Sequence, residues 1–230
     1  YSNQRVKQKL LKVLLFYRCV VYRSAKLYSF DETALVAKSI KPHRQVPMFL
    51  FDELCLRQNA RNPVRVGLIG AGKFGSMFLA QVPTTAGLEV GVIADLDPPR
   101  AKRNCANVGW PDDLISKTEF VDDAMLMITS GKVDVLVEAT GNPVIGVVHA
   151  RAAIRNGIHI VMVNVEADVL AGAQLAHEAK AAGVVYSMAY GDQPALTCEL
   201  VDWARSNGFA VAAAGKGTKF LPSYHASTPD

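Results

Sequence analysis

Three glycines and one carboxylate carry the most chemistry in this sequence. Gly70, Gly72 and Gly75 stand in residues 64–75 (VRVGLIGAGKFG) with the spacing G-x-G-x-x-G. A short apolar run (Val64, Val66, Leu68, Ile69) precedes them and a helical pattern follows. In that setting the first glycine makes a tight strand-to-helix turn and the second lets the backbone approach a pyrophosphate. The third lets the helix pack close to the sheet, with its N-terminal amides turned to the phosphates. The next β-type run, residues 88–94, ends at Asp95, where a carboxylate meets the adenosine ribose hydroxyls. The chemistry is dinucleotide binding. Gly70, Ala71, Gly72, Lys73, Phe74 and Gly75 form the phosphate loop, and Asp95 is the ribose contact.

The elements that must position this loop are readable from periodicity. Residues 49–60 form a short helix candidate, and the helix after the first strand carries Phe74, Met77, Phe78 and Val82 until Pro83 ends it. Asp97-Pro98 predicts an N-cap with proline at the first helical position and a helix to about Asn107. Residues 119–121 are a short third strand, and residues 122–130 are helical up to Gly131. Residues 133–139 (VDVLVEA) predict a buried parallel strand, apolar but for Asp134 and Glu138. Asn142-Pro143 caps a helix to Asn156-Gly157. Strand five covers 159–165, a helix 167–182, strand six 184–189, a helix 194–207 and a further strand 209–214. Strands alternating with helices mean βαβ units with right-handed crossovers, hence an α/β fold with a doubly wound, mostly parallel Rossmann sheet.

Ligands of such sheets lie at the carboxyl ends of the strands. After strand four, Thr140-Gly141 offers a hydroxyl and a close backbone to the nicotinamide ribose, and the same residues can serve as a loop and helix cap. Asn164 can reach the nicotinamide amide or ribose, or satisfy nearby backbone. For cofactor choice, Asp95 favours NAD because a carboxylate repels a 2′-phosphate. Arg100, with Lys102 and Arg103, supplies cations that could meet that phosphate, or a solvated helix face.

Bulk properties set limits. The chain has 230 residues, half of them hydrophobic, which is enough for one large domain. Its four cysteines (Cys19, Cys55, Cys105, Cys198) show no metal spacing and read as reduced thiols in a reducing, cytoplasmic setting. No apolar run is long enough to span a membrane. The net charge of +4 is uneven: residues 1–50 hold ten Lys and Arg against two acids, so the remainder is mildly acidic and shows no nucleic-acid footprint. Residues 4–30 lack acids and mix basic with bulky apolar residues. They fit a transit-type amphipathic helix, a membrane-surface or partner helix, or non-native sequence upstream of the true start. The first residue is Tyr1 rather than methionine, so the chain is read as incomplete at this end.

Residues 48–230 resemble the cofactor-binding part of the homoserine-dehydrogenase-like family. The resemblance rests on NPVRVGLIGAGKFGSMFLAQ, IADLD, GWP, VDVLVEATGNP, HIVMVNVEADVLAG, GVVYSMAYGDQPAL, VDWAR and AAGKGTKFLP. It is closest to the branch resembling 1-deoxy-D-xylulose 5-phosphate reductoisomerase, in which a Rossmann domain precedes a catalytic, SAF-type region. Homoserine dehydrogenases carry a Thr-Ala-Asn-Lys-like string at strand five. Here residues 162–166 (MVNVE) keep the asparagine and lack the lysine, which argues for the reductoisomerase-like branch. That branch implies NADP, with NAD as the alternative, a small and possibly phosphorylated carbonyl or hydroxy substrate, and a setting in isoprenoid biosynthesis. It also implies a homo-oligomer at full length. Reductoisomerases proper hold a divalent metal through an Asp-x-Glu pair, whereas only Asp192 stands at the matching strand end here. A divalent metal is therefore left open and no ligand is assigned.

These readings divide the chain into a basic extension (1–47), a Rossmann NAD(P)-binding domain (48–221) and the start of a catalytic domain (222–230). The function expected is the cofactor half of an NAD(P)H-dependent oxidoreductase. The alternatives are a homoserine dehydrogenase-type enzyme or a non-catalytic dinucleotide-sensing module. Hydride transfer to a carbonyl needs a cation or acid at the developing alkoxide. Lys216 and Lys219 are the candidates, with Glu166 and Asp192 to orient substrate hydroxyls or cap helices.

Overall fold

The computed structural model describes residues 50–190 and 193–215. The basic extension, Asp192, Lys216, Lys219 and the last residues lie outside them. The chain divides between Tyr190 and Gly191 into two compact units, upstream of the domain boundary drawn at 221 from sequence.

The strands of the first unit are apolar because both of their faces are covered. They are β1 (Val64–Ile69), β2 (Leu88–Ala94), β3 (Glu119–Val121), β4 (Val135–Glu138), β5 (His159–Met162) and β6 (Tyr186–Met188). All neighbours pair in parallel, in the order β3-β2-β1-β4-β5-β6. This is the doubly wound Rossmann order, and the crevice opens where it reverses, between β1 and β4. Val66 pairs with Val90 and Gly67 with Val92, so Gly91 is an extra residue that bulges β2.

Seven helices of the first unit connect and cover the described strands: α1 (Leu50–Asn59), α2 (Lys73–Leu79), α3 (Pro98–Asn107), α4 (Asp112–Lys117), α5 (Ala124–Thr129), α6 (Pro143–Arg155) and α7 (Val165–Ala181); α8 (Gln193–Ser206) belongs to the second unit. One core packs Leu68, Val90 and Val137 against Phe78, Leu79, Cys105 and Trp110. The other packs Ile69, Leu136 and Ile160 against Met127, Ile154 and Leu175. Trp110 is buried and its indole N–H donates to the Leu79 carbonyl at 2.7 Å, which satisfies its one polar atom. Burial also pushes the Cys105 thiol up to about 11, so it remains a protonated, inert core residue.

Side-chain caps set the helix starts. Asp97 accepts from the Arg100 backbone N–H at 2.9 Å, with Pro98 at the first position of α3. Asn142 caps α6 through the Ile145 N–H, and Asn164 caps α7 through the Ala167 N–H. Asp97→Ala removes one such bond and should lower the unfolding free energy by about 1 kcal/mol. A urea midpoint equal to that of the wild type would contradict this.

Three expectations change. Helix α7 begins at Val165, two residues early, because Asn164 caps it. Strands five and six are shorter than their apolar runs. The strand expected at 209–214 is absent: these residues take no regular structure and, apart from half-buried Val211, they are exposed. A strand is stabilised by a neighbour and a buried face, and this alanine-rich run has neither among the described residues. Helix α4 was not foreseen.

In the second unit, α8 carries Leu196, Leu200 and Trp203 on one exposed stripe. Among the described residues no helix is long and apolar enough to cross a membrane. Cys55, Cys105 and Cys198 are free.

Candidate dinucleotide site

The glycine-rich turn is held from three sides. Gly70 adopts φ +89°, a left-handed conformation that favours glycine. Its N–H donates to the Ala94 carbonyl at 2.9 Å. A Cβ on Gly70 would stand 2.7 Å from the Ala139 carbonyl oxygen, so the turn lies directly against the end of β4. Ala71 is fully buried. Its N–H donates to Asp95 Oδ2 at 2.8 Å, and its carbonyl accepts from Asn104 Nδ2 at 2.8 Å and from Ser76 Oγ. A Cβ on Gly75 would collide with the Gly70 carbonyl oxygen, so α2 crosses the turn as closely as a backbone can. Lys73 is exposed at the start of α2 and Phe74 is half-buried.

Gly72 differs from the other two. It is exposed, and nothing lies within 4 Å of a Cβ built on it. Two glycines in the motif are demanded by the fold, and Gly72 is not. Room at Gly72, beside a cavity, is what close approach of a pyrophosphate requires. The site therefore fits the group its motif implies.

That cavity holds about 460 Å³ and spans the carboxyl ends of β1, β2 and β4, the switch point of the sheet. This volume is within the range of ligand pockets. Gly70, Gly72, Asp95, Arg100, Thr140 and His149 are among the residues lining it. The structure thus brings together the glycine loop, the β2 carboxylate, the cation of α3 and the hydroxyl after β4.

Asp95 lies deeper than a ribose contact read from sequence alone. Its side chain is 2% exposed, whereas that of Arg100 is 51% exposed. Asp95 Oδ1 accepts from Arg100 Nη2 at 2.7 Å and from the Asp97 N–H at 3.0 Å, while Oδ2 accepts from Ala71. Both oxygens are engaged, and the group offered to the cavity beside them is the guanidinium.

Beyond β4, Gly141 takes φ +73°. The Thr140 hydroxyl donates to Glu138 Oε1 at 2.6 Å and accepts from the Asn142 N–H at 3.3 Å. Asn164 is buried and used within the protein: besides capping α7, its amide donates to the Asn142 carbonyl at 2.8 Å. It supports the 140–142 loop from below and does not line the cavity. Glu166 is exposed in the first turn of α7 and is likewise not part of the lining. Tyr186 donates to Asp168 at 2.8 Å; burial and this bond raise its phenol well above the usual range. Among the described residues no three His, Cys, Asp or Glu gather where they could hold a metal ion.

Sequence reasoning missed two residues, Glu138 and His149. The signal for Glu138 was present as an acid at the end of an otherwise apolar parallel strand. His149 had none, being one residue within a helix whose apolar pattern hides it.

Residues 70–189 match the family model for the NAD-binding domain of homoserine dehydrogenase. Residues 191–230 match the model described as the catalytic domain of oxidoreductase DRL. Among solved structures, an NAD-binding oxidoreductase from Klebsiella pneumoniae is 23% identical, with 64% of this chain and 39% of that one covered and a TM-score of 0.46. A homoserine dehydrogenase from Thiobacillus denitrificans is 19% identical, with 55% and 29% covered and a TM-score of 0.44. The chain thus spans well under half the length of these proteins. No curated protein matches it.

Proposed function

The chain belongs to the homoserine dehydrogenase NAD-binding domain family, and from that premise we propose that it is the cofactor-binding portion of an NADP(H)-dependent oxidoreductase. The cofactor's pyrophosphate lies over Gly70 to Gly75, its adenosine ribose beside Asp95 and Arg100, and its nicotinamide end at Thr140-Gly141. The observation that carries the choice of cofactor is the Asp95–Arg100 arrangement. A carboxylate with both oxygens occupied by protein donors is a poor acceptor for a ribose diol. A half-exposed guanidinium beside it is a fork for a 2′-phosphate.

For the substrate we propose a small carbonyl or hydroxy compound, with reductoisomerase-like chemistry favoured over homoserine oxidation because residues 162–166 lack the lysine of homoserine dehydrogenases. Lys216 and Lys219 are proposed to stabilise the developing alkoxide, with Glu166 and Asp192 orienting substrate. The domain division proposed keeps residues 1–47 as an extension ahead of the cofactor domain. The match of residues 191–230 to a catalytic-domain model supports substrate-handling groups beginning in that segment.

The test is titration of the chain with NADPH and NADH, followed by cofactor fluorescence. NADPH is expected to bind more tightly. Arg100→Ala should raise the NADPH Kd about tenfold, equivalent to about 1.4 kcal/mol, and leave the NADH Kd within about twofold. A wild-type preference for NADH would overturn the choice of cofactor, and no binding of either would overturn the reading itself.

A further inference from the structure

Glu138 is fully buried at the carboxyl end of β4, in the middle of the sheet. Its Oε1 accepts the Thr140 hydroxyl at 2.6 Å and stands 3.4 Å from His149 Nδ1, which α6 supplies. Its Oε2 has no hydrogen-bond partner among the described residues. A Cβ on Gly146 would come within 3.1 Å of that oxygen and 2.8 Å of Asn164 Nδ2, so α6 presents a glycine where this cluster needs space. A buried carboxylate oxygen without a donor is costly. Apolar replacements of buried charged groups are often neutral or stabilising. The fold alone gives no reason to keep an acid here.

The reason lies in the proton of Thr140. A hydroxyl has one donor and can turn it either way. The short bond to Glu138 points the proton inward, and the Asn142 N–H takes one of the oxygen's two lone pairs at 3.3 Å; Asn164 Nδ2, whose short bond at 2.8 Å goes to the Asn142 carbonyl, stands beyond good bonding distance at 3.4 Å. The lone pair that remains is therefore an acceptor only. We propose that Glu138, steadied by His149, is a positioning residue that fixes Thr140 as a hydrogen-bond acceptor for the nicotinamide half of the cofactor, for a ribose hydroxyl or the carboxamide N–H. This rests on the dinucleotide reading above and extends it to a residue that touches no ligand. The neighbouring charges do not replace Glu138: Asp95 is held by Arg100, Asp168 by Tyr186, and Arg151 pairs with Glu178 farther along α6.

The experiment separates the two halves of the cofactor. NADPH and adenosine 2′,5′-bisphosphate, which lacks the nicotinamide half, are titrated into the full chain and its variants. Glu138→Leu, which removes the acceptor, should raise the NADPH Kd about tenfold and leave that of the bisphosphate within about twofold, whereas Glu138→Gln, whose amide oxygen still accepts from Thr140, should stay within about twofold of the wild type. Thr140→Val should show the same selective loss, Thr140→Ser should recover it, and the double variant Glu138→Leu/Thr140→Val should lose no more than either single one. If Glu138→Leu does not fold, the Thr140 pair carries the test. Unchanged NADPH affinity in Glu138→Leu or in Thr140→Val overturns the proposal, as does a parallel loss of both ligands. Should the wild type bind neither ligand, the dinucleotide reading fails first, and the proposal with it.

Discussion

Gly72→Val should raise the Kd for NADPH by about a hundredfold or more, equivalent to about 2.7 kcal/mol, while Tm moves by no more than a few degrees. Gly72 has φ −71° and ψ −155°, a backbone any residue adopts, and open space where its Cβ would be. The fold accepts a branched side chain there. A ligand would not, because two methyl groups would occupy the surface over which the pyrophosphate must pass. Calorimetric titration beside a thermal melt reads both quantities. Retained affinity would remove the glycine loop from the site.

Gly75→Ala should fail in the opposite way. Its single methyl group meets the Gly70 carbonyl oxygen, and Gly70 cannot retreat. Its own N–H is tied to Ala94, its φ is +89°, and Ala139 closes the far side. The helix must lift from the sheet, taking Phe78 and Leu79 out of the core. The expected cost is about 3 kcal/mol or more, the upper range for overpacking a rigid site. Urea unfolding measures it directly, and an unchanged midpoint would mean that α2 does not cross the turn as described. Two substitutions three residues apart thus separate binding from folding.

Much of this was legible in the residues because local chemistry and long-range packing agree there. Asp97-Pro98 and Asn142-Pro143 name their helix starts through a side-chain acceptor and a preset φ, and both caps form. The run 88–94 is a strand from its first residue to its last. Where burial decides, legibility fades. Asp95 and Asn164 have the residue types of ligand contacts, yet the oxygens of Asp95 are engaged by protein donors at the cavity wall and Asn164 is used within the protein, and only the packing of Ala71 and the 140–142 loop determines that. Helix α4 is too short for periodicity to reveal, although Pro111, two acids and a terminal lysine mark its ends. The run 209–214 shows the converse: β-type composition describes a surface that fits a sheet and cannot say whether a neighbouring strand exists.

The strand order has a consequence for how the chain is made. Of the described strands β1 leaves the ribosome first, and it finishes at the centre of the sheet, with β2 on one side and β4 on the other. Its second neighbour is synthesised only after β2, β3 and α5. Until then a nascent three-stranded sheet presents Val66, Leu68 and Ile69 along a naked edge. Parallel pairing across so much intervening chain is slow, and unpaired apolar edges of this kind invite association with other chains. The ladder at the centre of the finished sheet is therefore an open edge during its synthesis.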